Sequence, residues 1–130
     1  MARRTSVTKI EDKDSRDFGK SFLITEMDAE AAEWWAFRAL QGIMGTDAEI
    51  DFKAPLSEMA RQGLVAMARI PSSQAKPLFD EMMACVRVQL PDGKSSRDIL
   101  PNDIEEVGTR IDLRAAVFEL HTGFSVRGDA

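Results

Sequence analysis

The sequence predicts a mainly helical α+β domain, in which an N-terminal β-hairpin packs on about four α-helices. Apolar residues alternate before residue 25, and from residue 28 onward they recur every three or four positions. The chain has 130 residues, 44% of them hydrophobic and 30% charged, as is ordinary for one globular domain. We therefore expect a single domain over 1–130, with a hairpin at 5–25, a helical body at 28–124 and a loose end at 126–130.

The hairpin is predicted from two short extended segments. Val7 and Ile10 give the first a brief apolar alternation, and in the second Phe18, Phe22 and Ile24 share the even positions. An isolated two-stranded hairpin is only marginally stable in water. It must therefore pack on the helices or pair with another chain.

The first helix is predicted to start near Asp28, which is suited to the N-cap, and to end between Gly42 and Gly45. Its apolar residues spread around more of the circumference than one neighbouring element can cover. Either the helix is central in the fold, or part of its apolar side meets a partner.

Two further helices follow at about 55–68 and 74–89. Each has apolar residues at spacings of three and four, and Pro55 and Pro77 suit their first turns. Residues 91–94 then read as a turn.

The last helix is predicted over 102–122. One apolar stripe is formed by Ile104, Val107, Ile111, Ala115 and Phe118, with Leu113, Val117 and Leu120 beside it. Glu106 and Arg110 are spaced for an ion pair within the helix. Gly108 could split the helix, and Gly123 suits a C-terminal cap.

Charge and hydropathy exclude several classes of function. The net charge of −5 disfavours a general nucleic-acid partner. The sequence has neither a secretory signal pattern nor a run of ~18 apolar residues, so we expect no membrane span and a cytoplasmic protein.

The sequence contains few residues of the types that commonly act in catalysis. Cys85 is its one cysteine and His121 its one histidine, and no nucleophile motif accompanies the histidine. Asp47, Glu49, Asp51 and Glu58 have the spacing of a calcium loop, but Phe52 occupies the position that requires glycine. We therefore expect no enzyme activity, no cofactor and no metal.

Methionine is the remaining signal. Met59, Met67, Met82 and Met83 lie on the apolar stripes of two consecutive helices. Flexible thioethers fill irregular cores, and they also line grooves that accept varied apolar helices. The residues alone leave both interpretations open, although the core is the commoner one.

Five segments in order resemble a family of bacteriophage tail assembly chaperones. They are GKSFLITEM at 19–27, WAFRAL at 35–40, KPLFDEM at 76–82, DIEEV at 103–107 and VFELHTGF at 117–124. The sequence departs from the family pattern at Gly108, where the family has a better helix former, and at Asp28, where proline is frequent.

The resemblance implies a non-enzymatic protein of the host bacterial cytoplasm. Such chaperones bind the long, helical, apolar tape measure protein and keep it soluble until tail tube subunits assemble around it. They are then absent from the mature virion. The tail tube protein is a further expected partner. Independently of the resemblance, self-association is expected because the edge strand and the apolar surface can both pair with another copy. The alternative is a structural oligomer of the tail or head-to-tail joint that remains in the virion.

Candidate partner-binding residues are large apolar side chains on the predicted amphipathic helices. They are Trp34, Trp35, Phe37, Leu40, Met59, Leu64, Met67, Phe79, Met82 and Met83.

Overall fold

A computed structural model of the chain describes residues 3–44, 53–55, 58, 62 and 65–127. The predicted α+β class and the N-terminal hairpin are confirmed. Within these residues, four antiparallel strands form one sheet in the order β1-β2-β3-β4, and helices pack against it. The strands are β1 (Thr5–Lys9), β2 (Ser21–Thr25), β3 (Val86–Gln89) and β4 (Ser96–Arg97). The α-helices whose two ends both lie in the described residues are α1 (Ala29–Met44), α2 (Ser72–Met83) and α3 (Val107–Arg127), with a 3-10 turn at Pro101–Asp103.

The hairpin pairs Thr5 with Thr25 and Lys9 with Ser21. Phe22 and Ile24 point from β2 into the core, as their even spacing predicted, and both are fully buried. Phe18 lies before β2 in the connecting loop and is half exposed, so it is not part of the strand. The hairpin packs on the helices and is extended by two more strands, which give it the support that two strands lack.

Helix α1 begins as predicted. The Asp28 carboxylate accepts a hydrogen bond of 2.7 Å from the Ala31 backbone N–H, and this satisfies one free donor of the first turn. Of the second predicted helix, residues 58, 62 and 65–67 are helical.

The prediction of one helix over 74–89 was wrong in its second half. Helix α2 ends at Met83, and Val86–Gln89 form strand β3, which pairs with β2. Val86 and Val88 alternate with polar residues, so the same segment fits a period of two as well as a helical period. The segment forms a strand because its backbone pairs with the side of β2 that β1 leaves open. The predicted turn at 91–94 is present, with Gly93 at φ 71°, and leads into the short strand β4, which the sequence did not predict.

The last helix also differs from its prediction. It begins at Val107, so Glu106 precedes it and pairs with Arg16 at 2.5 Å instead of with Arg110. Gly108 does not break the helix, and Gly123 does not end it. Its buried apolar side chains are Leu113, Val117 and Leu120, and Ile104 and Phe118 are packed against the same core. Val107 and Ile111 of the predicted stripe are 73% and 46% exposed, so for these two residues the prediction was wrong.

A buried carboxylate joins the hairpin to helix α3. Asp17, in the loop between β1 and β2, has a fully buried side chain. It accepts hydrogen bonds from the backbone N–H groups of Glu105 (2.9 Å) and Glu106 (3.0 Å) and from the hydroxyl of Thr109 (2.6 Å). The Lys20 ammonium group lies 2.9 Å away. Asp17 thus caps the helix from a distant part of the chain.

These contacts set the ionisation of Asp17. Burial by itself raises the pKa of the carboxyl group, but the hydrogen bonds from Thr109, Glu105, Lys20 and Glu106 outweigh it. The pKa of Asp17 therefore lies well below its ordinary value of 3.8. Nearby, Arg97 forms two hydrogen bonds to Asp103, at 2.7 and 2.8 Å, and these lower the pKa of Asp103 to about 2.

The substitution Asp17→Asn is expected to lower the free energy of unfolding by about 3 kcal/mol, because it removes the charge that four donors share in a buried site. Urea denaturation measures the change. Asp14→Asn is the matched control: Asp14 lies in the same loop and is exposed, so its substitution should change stability by less than about 0.5 kcal/mol. Equal effects of the two substitutions would contradict the capping role.

Stability should fall in acid. The folded-state pKa values of Asp17 and Asp103 lie below their unfolded-state values, so the unfolded chain takes up protons first as the pH drops. Their contribution is complete above about pH 5 and is lost progressively below about pH 4. Urea titrations across this range should show a shallower pH slope for Asp17→Asn than for the wild type. An unchanged slope would contradict the assignment.

Candidate functional site

Helix α1 uses one face for the core. Trp35 and Ala39, four residues apart, are buried. The indole N–H of Trp35 donates to the backbone carbonyl of Leu78 at 2.9 Å, and its ring makes an edge-to-face contact with Phe118 at 6.3 Å between centroids. These contacts fix the rotation of α1 about its axis.

The opposite face of α1 carries exposed apolar side chains. Trp34, Phe37 and Leu40 are 57%, 54% and 56% exposed. We call these three residues the α1 stripe. The rings of Trp34 and Phe37 stack at 5.8 Å, with 15° between their planes. Residues three apart on a helix are neighbours, so the three side chains form one continuous ridge.

Charged side chains surround the α1 stripe. Glu30 and Glu33 are exposed on α1, and the Arg38 guanidinium lies 5.3 Å from the centroid of the Trp34 ring. Arg38 also forms two hydrogen bonds to Glu81 of α2, and this pairing raises its pKa. Arg38 therefore both ties α1 to α2 and covers one side of Trp34.

The ten predicted binding residues divide into four groups. Trp34, Phe37 and Leu40 form the α1 stripe. Phe79 and Met83 are partly buried against the core. Met59 and Leu64 lie outside the described residues. Trp35, Met67 and Met82 are buried, at 8%, 1% and 1% exposure, so they are inaccessible to a partner.

The buried methionines correct the groove interpretation for those positions. Helical spacing brings apolar side chains to one face, and the core takes that face first. Phe79 is further covered by Arg114, whose guanidinium lies 4.6 Å from the ring centroid. Among the members of the predicted set that the structure describes, the three residues of the α1 stripe are the exposed ones.

The lone histidine has a structural role. The Nε2 atom of His121 accepts a hydrogen bond from the backbone N–H of Met27 at 2.8 Å, and Nδ1 lies 2.8 Å from the Val117 carbonyl, to which it donates in this tautomer. His121 thus links the residues before α1 to helix α3. Both ring nitrogens are engaged by the backbone, as expected of a structural histidine.

The thiol of Cys85 is poorly suited to act as a nucleophile. Its side chain is buried, and burial raises the pKa of the thiol to about 11. Because the thiolate is the nucleophilic form, little reactive sulfur is present at neutral pH.

A shallow depression lies at one end of the sheet, and Lys20 and Arg97 contribute to its wall. Lys20 is bound to Asp17 and to the backbone carbonyl of Asp103, and Arg97 to the Asp103 carboxylate. Their charges are already paired, so the depression offers little attraction to an anionic ligand.

No cluster of three or more metal-ligating side chains occurs among the described residues. In the same parts of the chain, no helix combines the length and apolar character needed to cross a membrane.

Comparison with known proteins gives no relative. The chain matches no protein-family model, no curated protein and no solved structure.

Several exposed apolar residues were not among the predicted site. They include Val7, Phe18, Leu100, Val107 and Ile111. The helical spacing of Val107 and Ile111 predicted that both side chains would lie on the apolar stripe of the last helix and face the core. For Val7, the alternation along β1 predicts which residues share a face of the strand. It does not predict which face is buried, because that depends on the rest of the fold.

The two tryptophans should differ in solvent access. In Trp35→Phe the fluorescence comes from Trp34 alone, and we expect strong quenching by acrylamide, since Trp34 is 57% exposed. In Trp34→Phe the remaining Trp35 is 8% exposed and should resist quenching. Stern–Volmer slopes measure the difference. Equal slopes for the two variants would contradict the orientation of α1.

Proposed function

We propose that this protein is a non-enzymatic chaperone of phage tail assembly, which binds the tape measure protein through the α1 stripe and keeps it soluble in the host cytoplasm. The exposure of Trp34, Phe37 and Leu40 on the side of α1 away from the core is the observation that carries the proposal. The resemblance of the five sequence segments supplies the identity of the partner.

The chemistry of the α1 stripe suits an apolar helix. Tryptophan and other aromatic side chains provide large contact areas and are enriched among residues that dominate binding energy. A ridge of side chains at spacings of three packs into the grooves of another helix. Glu30 and Glu33 beside the stripe favour a partner whose apolar face is flanked by basic residues.

The short length of the α1 stripe implies that many copies bind along the tape measure protein, each through a reversible contact. From Trp34 to Leu40 the helix rises by about 9 Å, at 1.5 Å per residue. A long apolar helix therefore needs many copies along its length. Each contact is small, so that copies can leave when tube subunits replace them. The tail tube protein is the second partner in this proposal.

The acidic character supports the same role. A long exposed apolar helix tends to aggregate. Complexes coated with copies that each carry a net charge of −5 would repel other coated complexes and stay dispersed.

Co-expression with the tape measure protein from the same genome should increase the soluble yield of that protein. The triple substitution Trp34→Ser, Phe37→Ser, Leu40→Ser should abolish at least about nine-tenths of the increase, because it removes the aromatic anchors. The fold should survive, since none of the three side chains is buried. Soluble yield and co-purification are the measurements.

The matched control is the double substitution Val107→Ser, Ile111→Ser, which removes exposed apolar area from α3. It should leave the soluble yield unchanged. Full activity of the triple variant would show that another surface binds the tape measure protein. No effect of the wild-type chain would contradict the chaperone function itself.

The alternative is a structural tail or joint component that remains in the virion. Mass spectrometry of purified particles distinguishes the two functions. We expect the protein to be missing from mature particles, and stoichiometric amounts there would favour the structural alternative.

A further inference from the structure

Strand β1 lies at an edge of the sheet, and half of its backbone groups face outward. The N–H of Ile10 donates to Lys20, and the carbonyl of Arg4 accepts from Glu26. Antiparallel bonding alternates along a strand, so the even-numbered residues of β1 bond to β2. The N–H and C=O groups of Thr5, Val7 and Lys9 therefore point away from β2. We call these groups the β1 edge.

The side chains of the same three residues are exposed, whereas those of Ser6 and Thr8 are half-buried. Val7 is 58% exposed at the centre of the strand. An unprotected edge with an apolar centre is a template for pairing with another strand.

A second copy of β1 fits this edge in a register that pairs opposite charges. An antiparallel pair about a two-fold axis at Val7 places Val7 opposite Val7, and Thr5 opposite Lys9. It uses the whole strand. It also places Arg3 opposite Glu11 of the second copy, twice, because the axis repeats every contact.

Two other registers oppose like charges. An axis at Lys9 opposes the two Lys9 ammonium groups, and an axis at Ser6 opposes Arg3 to Lys9 twice. Like charges directly opposite each other on a sheet are destabilising. Among the residues that the structure describes, Arg3 forms an ion pair with Asp28 at 3.9 Å, with both side chains 55% exposed. Such an exposed pair is weak, so Arg3 can exchange it for Glu11 of another copy.

We infer that two copies of this chain pair through their β1 edges, antiparallel about Val7, and form a continuous eight-stranded sheet. The occupant is a second copy because Arg3 and Glu11, which flank β1 on either side, carry opposite charges and meet each other in this register. The inference does not depend on the tape measure protein. A five-residue strand buries little area, so the dimer is weak and concentration-dependent.

Cysteine cross-linking tests the register. In Val7→Cys the two introduced thiols lie opposite each other, within disulfide reach, and mild oxidation should give a covalent dimer on a non-reducing gel. In Lys9→Cys the two introduced thiols are about 14 Å apart, at 3.4 Å per residue, and should not cross-link. A mixture of Thr5→Cys and Lys9→Cys should cross-link. The oxidised wild type should give no covalent dimer on the same gel, because Cys85 is buried.

Charge exchange tests the same register without oxidation. Arg3→Glu should weaken the dimer by roughly fivefold or more in sedimentation experiments, since it opposes two carboxylates at each end. Glu11→Arg should do the same, and the double variant Arg3→Glu, Glu11→Arg should restore the wild-type dissociation constant. Both residues are exposed, so unfolding by urea should be unchanged and serves as the folding control.

Two results would overturn the inference. One is a chain that stays monomeric throughout a concentration series. The other is a dimer in which Lys9→Cys cross-links as well as Val7→Cys, or in which the double charge variant is no tighter than either single one. A wild-type chain that forms this dimer but does not bind the tape measure protein would contradict only the proposed function.

Discussion

The buried carboxylate of Asp17 is the constraint on which much of this fold depends. A charge removed from water is costly unless it is fully hydrogen-bonded. Asp17 finds its donors at the start of helix α3, almost ninety residues away in the sequence, and in Lys20 of its own loop. The loop between β1 and β2 and the first turn of α3 therefore position each other. Neither can move without exposing or unpairing the charge.

The position of α3 in turn fixes α1. His121 on α3 accepts a hydrogen bond from Met27, just before α1, while Phe118 contacts Trp35 on α1. Arg38 and the indole of Trp35 tie the same helix to α2. These contacts determine which side of α1 enters the core. As a result, Trp34, Phe37 and Leu40 face solvent, although they are among the larger apolar residues of the helix.

The α1 stripe and the β1 edge belong to different elements and use different interactions. The first offers aromatic area for another helix, and the second offers backbone hydrogen bonds for another strand. A protein with both can bind a partner and pair with itself through separate surfaces. Pairing would raise the effective concentration of α1 stripes along a long helical partner, so weak individual contacts would combine into stable but reversible coating.

The sequence by itself determined the α+β class, the hairpin and the start of α1, because alternation, helical spacing and the Asp28 cap are local signals. It also identified Trp34, Phe37 and Leu40 as candidates. Only the tertiary structure separated them from Trp35, Met67 and Met82, since helical spacing does not say which face a core will cover. The same holds for β3, where pairing with β2 overrode a helical pattern, and for Asp17, whose partners lie far along the chain. Long-range contacts decided what local periodicity left open.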